Sequence, residues 1–421
     1  MNPEFSIIIP TLDNFHDVQE IIPYINSQTL PPKEVVIVDS SRSNDIQEGL
    51  ETIESSVQIT YLRVGRAYRF DRLLRYFFSF PFISRYKNQF PQGRAFPYEA
   101  SNAGAEIAQY EWLAFLDATT LPVETWLEDY WNFINSYKCD VVFGRTKYLA
   151  ITGFQKLLRA STYGALGHES APGSIIKKAI FLNGLRIKEG VRSGGDIAWR
   201  LKIKQSLKYY LPEKNYLTYS NLSLSLLPAL KKFFIYQIYG SFSAIQHNIK
   251  DLYLLCALIF GIILVPKWNY IVGWDSAFFI PHITKVFFIS VLLIFLVTFI
   301  TNRGVLRRSS DHSALANAFK LIFFIVVTYC VYRWNDVAAN WVEDSIWYVP
   351  HITKIFILSS LFASFLYRGI YFPIINNINL NYLFPFRWVL VGLLGILLDL
   401  VKAPGYLLGG ILASFIRRSS K

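Results

Sequence analysis

Cysteine is scarce in this chain: three residues in 421, Cys139, Cys256 and Cys330, widely separated. That spacing excludes a disulfide framework and offers no zinc pattern, so all three read as packing residues. The formal net charge is +12, yet no nucleic-acid-binding motif accompanies it. No nucleic-acid partner is therefore expected, and a basic protein lying against anionic lipid headgroups is the simpler account. No secretory leader is expected either. The apolar run Phe5–Ile9 is short, lacks a basic lead-in and stops at Pro10, so it reads as a strand. The first domain is expected to start and stay in the cytoplasm. One further absence bears on chemistry. Trp112–Leu116 reads as a buried strand ending on Asp117, and two residues later, where a second carboxylate would help hold a cation, stands Thr119.

What is present falls into two halves. Residues 1 to about 250 mix charges with short apolar runs. Strands are expected at Phe5–Ile9, Val35–Val38, Gln58–Val64, Trp112–Leu116 and Val141–Gly144. Helices are expected at Asn14–Gln28, from about Asp45 to Ile53, at Pro97–Ala108 and at Pro122–Tyr137. Such alternation builds an α/β domain on a parallel sheet with its ligands at the carboxyl ends of the strands. Asp39 and Asp117 both fall at such ends. Between Val64 and Arg94 the alternation fails. The stretch Tyr68–Phe82 is aromatic and cationic together, which suits a segment resting on a membrane surface.

From about residue 251, apolar runs of membrane length alternate with basic or aromatic segments. Asp275–Lys285 recurs as Asp344–Lys354, each copy reading Asp-Ser…Pro-His-Ile-Thr-Lys, and Trp268-Asn269 upstream answers to Trp334-Asn335. Duplicated membrane hairpins account for this. Spans are expected near 252–266, 284–301, 319–333, 354–369, 386–401 and 404–416. The basic loop Arg303–Arg308 and the tail Arg417–Lys421 then lie on the cytoplasmic side. His282 and His351 owe their equivalence to the duplication and read as starts of interfacial helices.

The residues that carry chemistry are individually plain. Asp39 can accept from a ribose or base, or cap the next turn. Asp117 can ligate a hard cation or cap a helix. Asp196, in Ser193-Gly194-Gly195-Asp196-Ile197-Ala198-Trp199-Arg200, can be a general base or an N-cap. Their order says more. Ile7-Ile8-Ile9-Pro10-Thr11 comes first, then Val38-Asp39-Ser40-Ser41. Asn102-Ala103-Gly104 and Phe115-Leu116-Asp117-Ala118-Thr119 follow, then Pro172-Gly173-Ser174 and Gly195-Asp196-x-x-Trp199-Arg200. Over about residues 4–210 this series resembles the family 2 glycosyltransferases of the GT-A fold.

The resemblance implies a GT-A α/β domain over residues 1–225, interfacial linker helices over 226–250, and an α-helical transmembrane domain over 251–421. It implies an enzyme of the inner membrane that takes a sugar from a nucleotide-diphosphate sugar, with inversion, to a lipid- or polyprenyl-linked acceptor. By position, Thr11, Asp39, Ser41, Arg94, Asn102 and Asp117 would bind the nucleotide sugar. Asp117 would also hold Mg2+ or Mn2+, Asp196 would be the catalytic base, and Trp199 and Arg200 would line the acceptor side.

Three positions depart from the pattern: Thr119 for the second Asp, Ser40 for a second Asp after the strand, and Gly195 for the frequent Glu before Asp196. They imply weaker metal dependence, with Arg94 supplying part of the charge. The Gln-x-x-Arg-Trp run of processive members is missing between residues 205 and 260, which implies single transfer. Two alternatives stay open. One is transfer to polyprenyl phosphate, whose acceptor oxygen is already ionised. The other is a degenerate domain whose membrane half scaffolds or moves lipid-linked glycan, a reading that ionisable residues within the spans, such as Asp399 and Lys402, would favour.

Overall fold

The computed structural model describes residues 3–65, 95–214, 216–242, 362 and 364–419. The chain divides into two compact units, one of Met1–Lys250 with Arg368–Lys421 and one of Asp251–Tyr367. Only the first is described in detail below. Arg94, the aromatic–cationic stretch, the tandem repeat with His282 and His351, Cys256, Cys330 and the three spans expected between 252 and 333 lie outside the described residues.

The core is a nine-stranded mixed sheet ordered β3-β2-β1-β4-β7-β6-β9-β5, with β8 also on β6. Strands β1 (Phe5–Thr11), β2 (Glu34–Asp39), β3 (Gln58–Arg63) and β4 (Trp112–Phe115) form its parallel part. β2 is buried along its whole length and β1 almost so, which explains their continuous β-branched runs: a strand covered on both faces has no reason to alternate. Beyond β4 the direction reverses. β7 (His168–Lys177) is antiparallel to both β4 and β6 (Val141–Tyr148), and β8 (Tyr209–Tyr210), β9 (Leu217–Tyr219) and β5 (Thr120–Pro122) complete the far side.

Strand parity sorts the core into two layers. Ile7, Ile9, Val35 and Ile37 face a cluster that includes Val18, Ile21, Ile22 and Ile25 of α1 (Phe15–Asn26) and Trp126, Tyr130 and Ile134 of α4 (Trp126–Tyr137). Both helices repeat apolar residues at three- and four-residue steps, the period of a one-sided helix. Ile8, Val36, Val38, Leu113 and Phe115 face the other way, toward α3 (Pro97–Ile107), α6 (Lys178–Leu182) and α7 (Gly195–Ser206). Gly104 lets α3 lie close to the sheet: a Cβ there would sit 2.7 Å from the side chains of Ile8 and Val38. The short α2 spans Asp45–Leu50, and α5 spans Gly153–Thr162.

Two expected boundaries are corrected. Pro122 does not open a helix; it ends β5, paired with Leu217, and α4 begins only at Trp126. The expected spans 386–401 and 404–416 are one helix, α11 (Arg387–Ser419), which runs through Pro404. Beside that proline, Gly405 packs against α8 (Leu226–Phe242), where a Cβ would lie 2.7 Å from the Phe234 carbonyl oxygen. The segment Arg387–Tyr406 is the one stretch among the described residues long and apolar enough to cross a membrane, by length and composition only. It also shares a core with α5 and α8 through Leu158, Ala229, Leu394 and Leu398, as a core helix would.

The charges inside α11 are answered. Asp399, fully buried, accepts two hydrogen bonds from Arg368 at 2.9 Å each and one from Lys402 at 3.2 Å. Arg368 lies in a π-helical turn, Tyr367–Tyr371, that leads to the short helices α9 (Phe372–Ile375) and α10 (Leu380–Leu383). Burying a carboxylate is tolerable here because its partners are buried with it.

Candidate functional site

The carboxyl ends of β1 and β2 bring Thr11, Asp39 and Ser41 together. Asp39 stands in register with Thr11 on one side and Arg63 on the other. Its carboxylate is buried, accepting from the Ser41 N–H at 2.8 Å and from the Tyr61 hydroxyl at 2.9 Å. Burial, then the hydrogen bond to Asp39 and its charge, push the Tyr61 phenol up to about 12. Ser41 Oγ accepts from the Asp13 N–H at 2.7 Å. Arg63 donates to the carbonyls of Ser41, Arg42 and Ser43 at 3.3, 2.7 and 2.9 Å. Asp39 therefore caps the turn after its strand, and each of its oxygens keeps lone-pair capacity beyond that one bond.

Asp117 lies two residues beyond β4, at the same edge of the sheet. The Thr120 N–H donates to its carbonyl at 2.9 Å, making the turn into β5. Burial, and then the charge of Asp196, push its carboxyl up to about 6. Asp196 sits in the first turn of α7, after Gly194 at φ +78°. It accepts from the Tyr98 hydroxyl at 3.1 Å and pairs with Arg200 at 3.4 Å. Arg200 in turn pairs with Glu169 at 3.2 Å, and Lys204 with the same carboxylate at 2.6 Å. Tyr98 is held well above the usual phenol range by burial and then by both Asp196 and Asp117. Tyr98 is thus hydrogen-bonded to Asp196 and lies within reach of the Asp117 charge. At the position of the missing second Asp, Thr119 uses its carbonyl to accept from the N–H and hydroxyl of Ser220, at 3.1 and 3.2 Å.

Gly195 has a steric explanation. A Cβ there would lie 2.6 Å from the Tyr98 ring. The Glu frequent at this position would displace the tyrosine that donates to Asp196.

One face of α3 holds the segment that carries Asp196. Glu99 accepts from the Phe96 N–H at 2.9 Å and the Gly190 N–H at 3.0 Å. Asn102 donates to the Ile187 carbonyl at 2.8 Å and to Glu189 at 3.0 Å, and accepts from the Ile187 N–H at 3.1 Å. It is 2% exposed with its amide committed. Beside the nucleotide contact expected of it, Asn102 clamps the 187–189 backbone. Asn102→Ala would leave those buried groups unpartnered, and a loss of roughly 2–3 kcal/mol is expected in urea unfolding.

Trp199, expected on the acceptor side, lies in the core. It is 2% exposed, donates to the Leu185 carbonyl at 2.6 Å, and packs edge-on to Phe115, Phe143 and Phe181. It belongs to the core under the site, whereas Arg200, one residue on, remains at the site through Asp196. Pro172-Gly173-Ser174 forms the irregular part of β7, where Ser174 Oγ accepts from the Gly144 N–H at 2.9 Å.

The sequence pattern did not point to Tyr98, Arg192, Tyr219, Lys232 or Tyr236. Ser193 Oγ donates to the Tyr236 carbonyl at 2.8 Å, which brings α8 onto the loop before α7. Asp117 acts electrostatically on Tyr98, Tyr219 and Tyr236, and Asp196 on Tyr98 and Tyr236. The only signal in the sequence was helical spacing: Tyr98 and Asn102, like Lys232 and Tyr236, are four apart and share a face.

A divalent cation fits Asp117 in part. Its oxygen is of the kind Mg2+ or Mn2+ takes, and a cation there would favour the charged form that burial and Asp196 oppose. The clustered potential metal ligands among the described residues are His16, Asp17 and Glu20 on α1. That group does not include Asp117.

No protein-family model matches this chain. No curated protein matches it either. Among solved structures, the chain is similar to S. aureus TarS 1–349 in complex with UDP-GlcNAc, at 17% identity and a TM-score of 0.38. That match covers 57% of this chain and 66% of the other. It is also similar to the mannosyltransferase PcManGT from Pyrobaculum calidifontis in complex with GDP-Man and Mn2+, at 15% identity and a TM-score of 0.38, covering 58% and 65%. The chain thus spans just under two thirds of the length of each.

Proposed function

We propose that the chain is an inverting glycosyltransferase. It would move one sugar from a nucleotide-diphosphate donor to a lipid- or polyprenyl-linked acceptor at a membrane surface. The observation that carries this is the place of Asp117, just beyond β4 at the sheet edge that also bears Thr11 and Asp39, within reach of the Asp196 charge. Carboxyl ends of parallel strands are where ligands of open α/β sheets bind. The free lone pairs of Asp39 and the pinned loop through Ser41 suit the nucleoside, and Asp117 suits the diphosphate side.

Asp196 is the base. It takes the acceptor hydroxyl proton as the acceptor oxygen bonds to the anomeric carbon. The bond from that carbon to the diphosphate oxygen breaks on the opposite face, and the electron pair leaves with the nucleoside diphosphate. Tyr98 and Arg200 hold Asp196 in place. When bound at Asp117, Mg2+ or Mn2+ supplies positive charge to the leaving diphosphate. The apolar length of α11 supports a membrane-held acceptor.

The test is to incubate the full chain in lipid nanodiscs with a panel of nucleotide sugars and a lipid-linked acceptor, and to measure released nucleoside diphosphate and glycosylated lipid. Acceptor-dependent release for one donor is expected. No release with any donor, in the presence of Mg2+ or Mn2+, would remove the proposal.

A further inference from the structure

Among the described residues, two cations beside this site, Arg192 and Lys232, have no carboxylate paired to them. Lys232 on α8 rests its ammonium over the rings of Tyr219 and Tyr236, at 5.4 and 5.7 Å, and donates to the Asn221 carbonyl at 3.2 Å. Arg192 precedes Ser193, which is bonded to the Tyr236 carbonyl one helical turn beyond Lys232. Its charge acts on both Lys232 and Tyr236. Among the described residues neither cation is ion-paired to a carboxylate. The acidic groups that reach this place, Asp117 and Asp196, act on the Tyr236 phenol between them. Burial and the repulsion of Arg192 hold the Lys232 ammonium down to about 8. Two like charges kept together cost free energy that an anion seated between them would return.

We infer that Arg192 and Lys232 form an anion subsite for a phosphate ester beside the Asp117–Asp196 pair. This rests on the glycosyltransferase reading for its setting, though not for its chemistry. A guanidinium and an ammonium converging from two elements suit phosphate oxygens. The aromatic floor of Tyr219 and Tyr236 fixes the ammonium laterally. With one carboxylate at the Asp117 site where two are usual, cationic side chains take a share of the charge that a metal would otherwise carry. The phosphate comes either from the diphosphate of the donor or from the head of a polyprenyl phosphate.

The experiment uses the full chain in phosphatidylcholine nanodiscs and measures binding of UDP, GDP and farnesyl phosphate by calorimetry. Wild type is compared with Arg192→Gln, Lys232→Gln and the charge-retaining Lys232→Arg, with thermal unfolding recorded for each. Each Gln variant is expected to lose about tenfold in affinity for the phosphate ligand, and Lys232→Arg to keep most of it. Loss confined to UDP or GDP places the donor diphosphate in the subsite. Loss confined to farnesyl phosphate places the acceptor phosphate there. Unchanged affinity of folded Gln variants for all three probes overturns the inference, as does a wild type that binds none. Farnesyl phosphate binding that depends on Arg192 and Lys232, in a protein that transfers no sugar, would keep the subsite and remove only the glycosyltransferase reading.

Discussion

Asp196→Ala is expected to lower kcat for sugar transfer by about 10^2–10^4-fold while leaving KM for the nucleotide sugar nearly unchanged, the usual signature of a lost general base. The fold should survive the change. Asp196 is part-exposed, its Tyr98 partner keeps its packing against Gly195, and Arg200 retains Glu169. The measurement is acceptor-dependent release of nucleoside diphosphate by wild type and variant under donor saturation. Equal turnover would show that no proton has to be removed from the acceptor. That outcome would point to an already ionised phosphate acceptor, which the cation pair at Arg192 and Lys232 is placed to receive.

Asp117→Asn is expected to act in opposite directions on stability and on activity. The Asp117 carboxyl is raised from 3.8 to about 6 by burial and by Asp196. The folded state therefore binds a proton that the unfolded chain has released across that interval. The stability this group contributes is complete below pH 3.8 and is lost as pH rises through about 6. Above that, the bare carboxylate costs on the order of 1–3 kcal/mol. Asparagine keeps the shape and removes the charge. The variant should melt a few degrees higher than wild type at pH 7.5 and alike at pH 4, while transfer falls about 10^2-fold or more through loss of the diphosphate-side anion. Thermal unfolding at the two pH values, paired with the release assay, checks both halves. A variant less stable than wild type at pH 7.5 would contradict the environment described for Asp117. A stable variant with full activity would take it out of the site.

The two predictions together describe a site held at some cost to the fold. Burial and the charge of Asp196 oppose ionisation of Asp117, and Tyr98 is buried beside both carboxylates. Neighbouring structure keeps them there. Glu99 and Asn102 clamp the loop, Gly194 and Gly195 allow the sharp entry to α7, and Trp199 anchors that helix in the core. Functional sites often concentrate such unfavourable contacts.

The parallel part of the sheet was legible from residue pattern. Runs such as Ile7-Ile8-Ile9 and Val35–Val38 admit little besides strands buried on both faces, the first closing at Thr11 and the second at Asp39. That Asp39 and Asp117 stand at strand ends and Asp196 at a helix start could be read from order and spacing, because such turns are local. Less legible were side chains whose role depends on what faces them. Asn102 and Trp199 looked like site residues by position. The tertiary contacts of Ile187, Glu189 and Leu185 instead make one a clamp and the other core. The expected spans 386–401 and 404–416 were set apart beside Pro404, a residue without the N–H of an interior helix bond. Close packing of Gly405 on α8 accompanies a helix that continues.

Periodicity and strand-end carboxylates were written locally, since each depends on a few neighbouring residues and on burial of one face. The reversal of β7 against β4, the pairing of Asp117 with Asp196 and the approach of Lys232 to Arg192 were settled only by folding. Each joins residues some 40 to 80 positions apart, and no local propensity carries information over that distance. What brings them together is the packing of α3, α7 and α8 around one edge of a shared sheet.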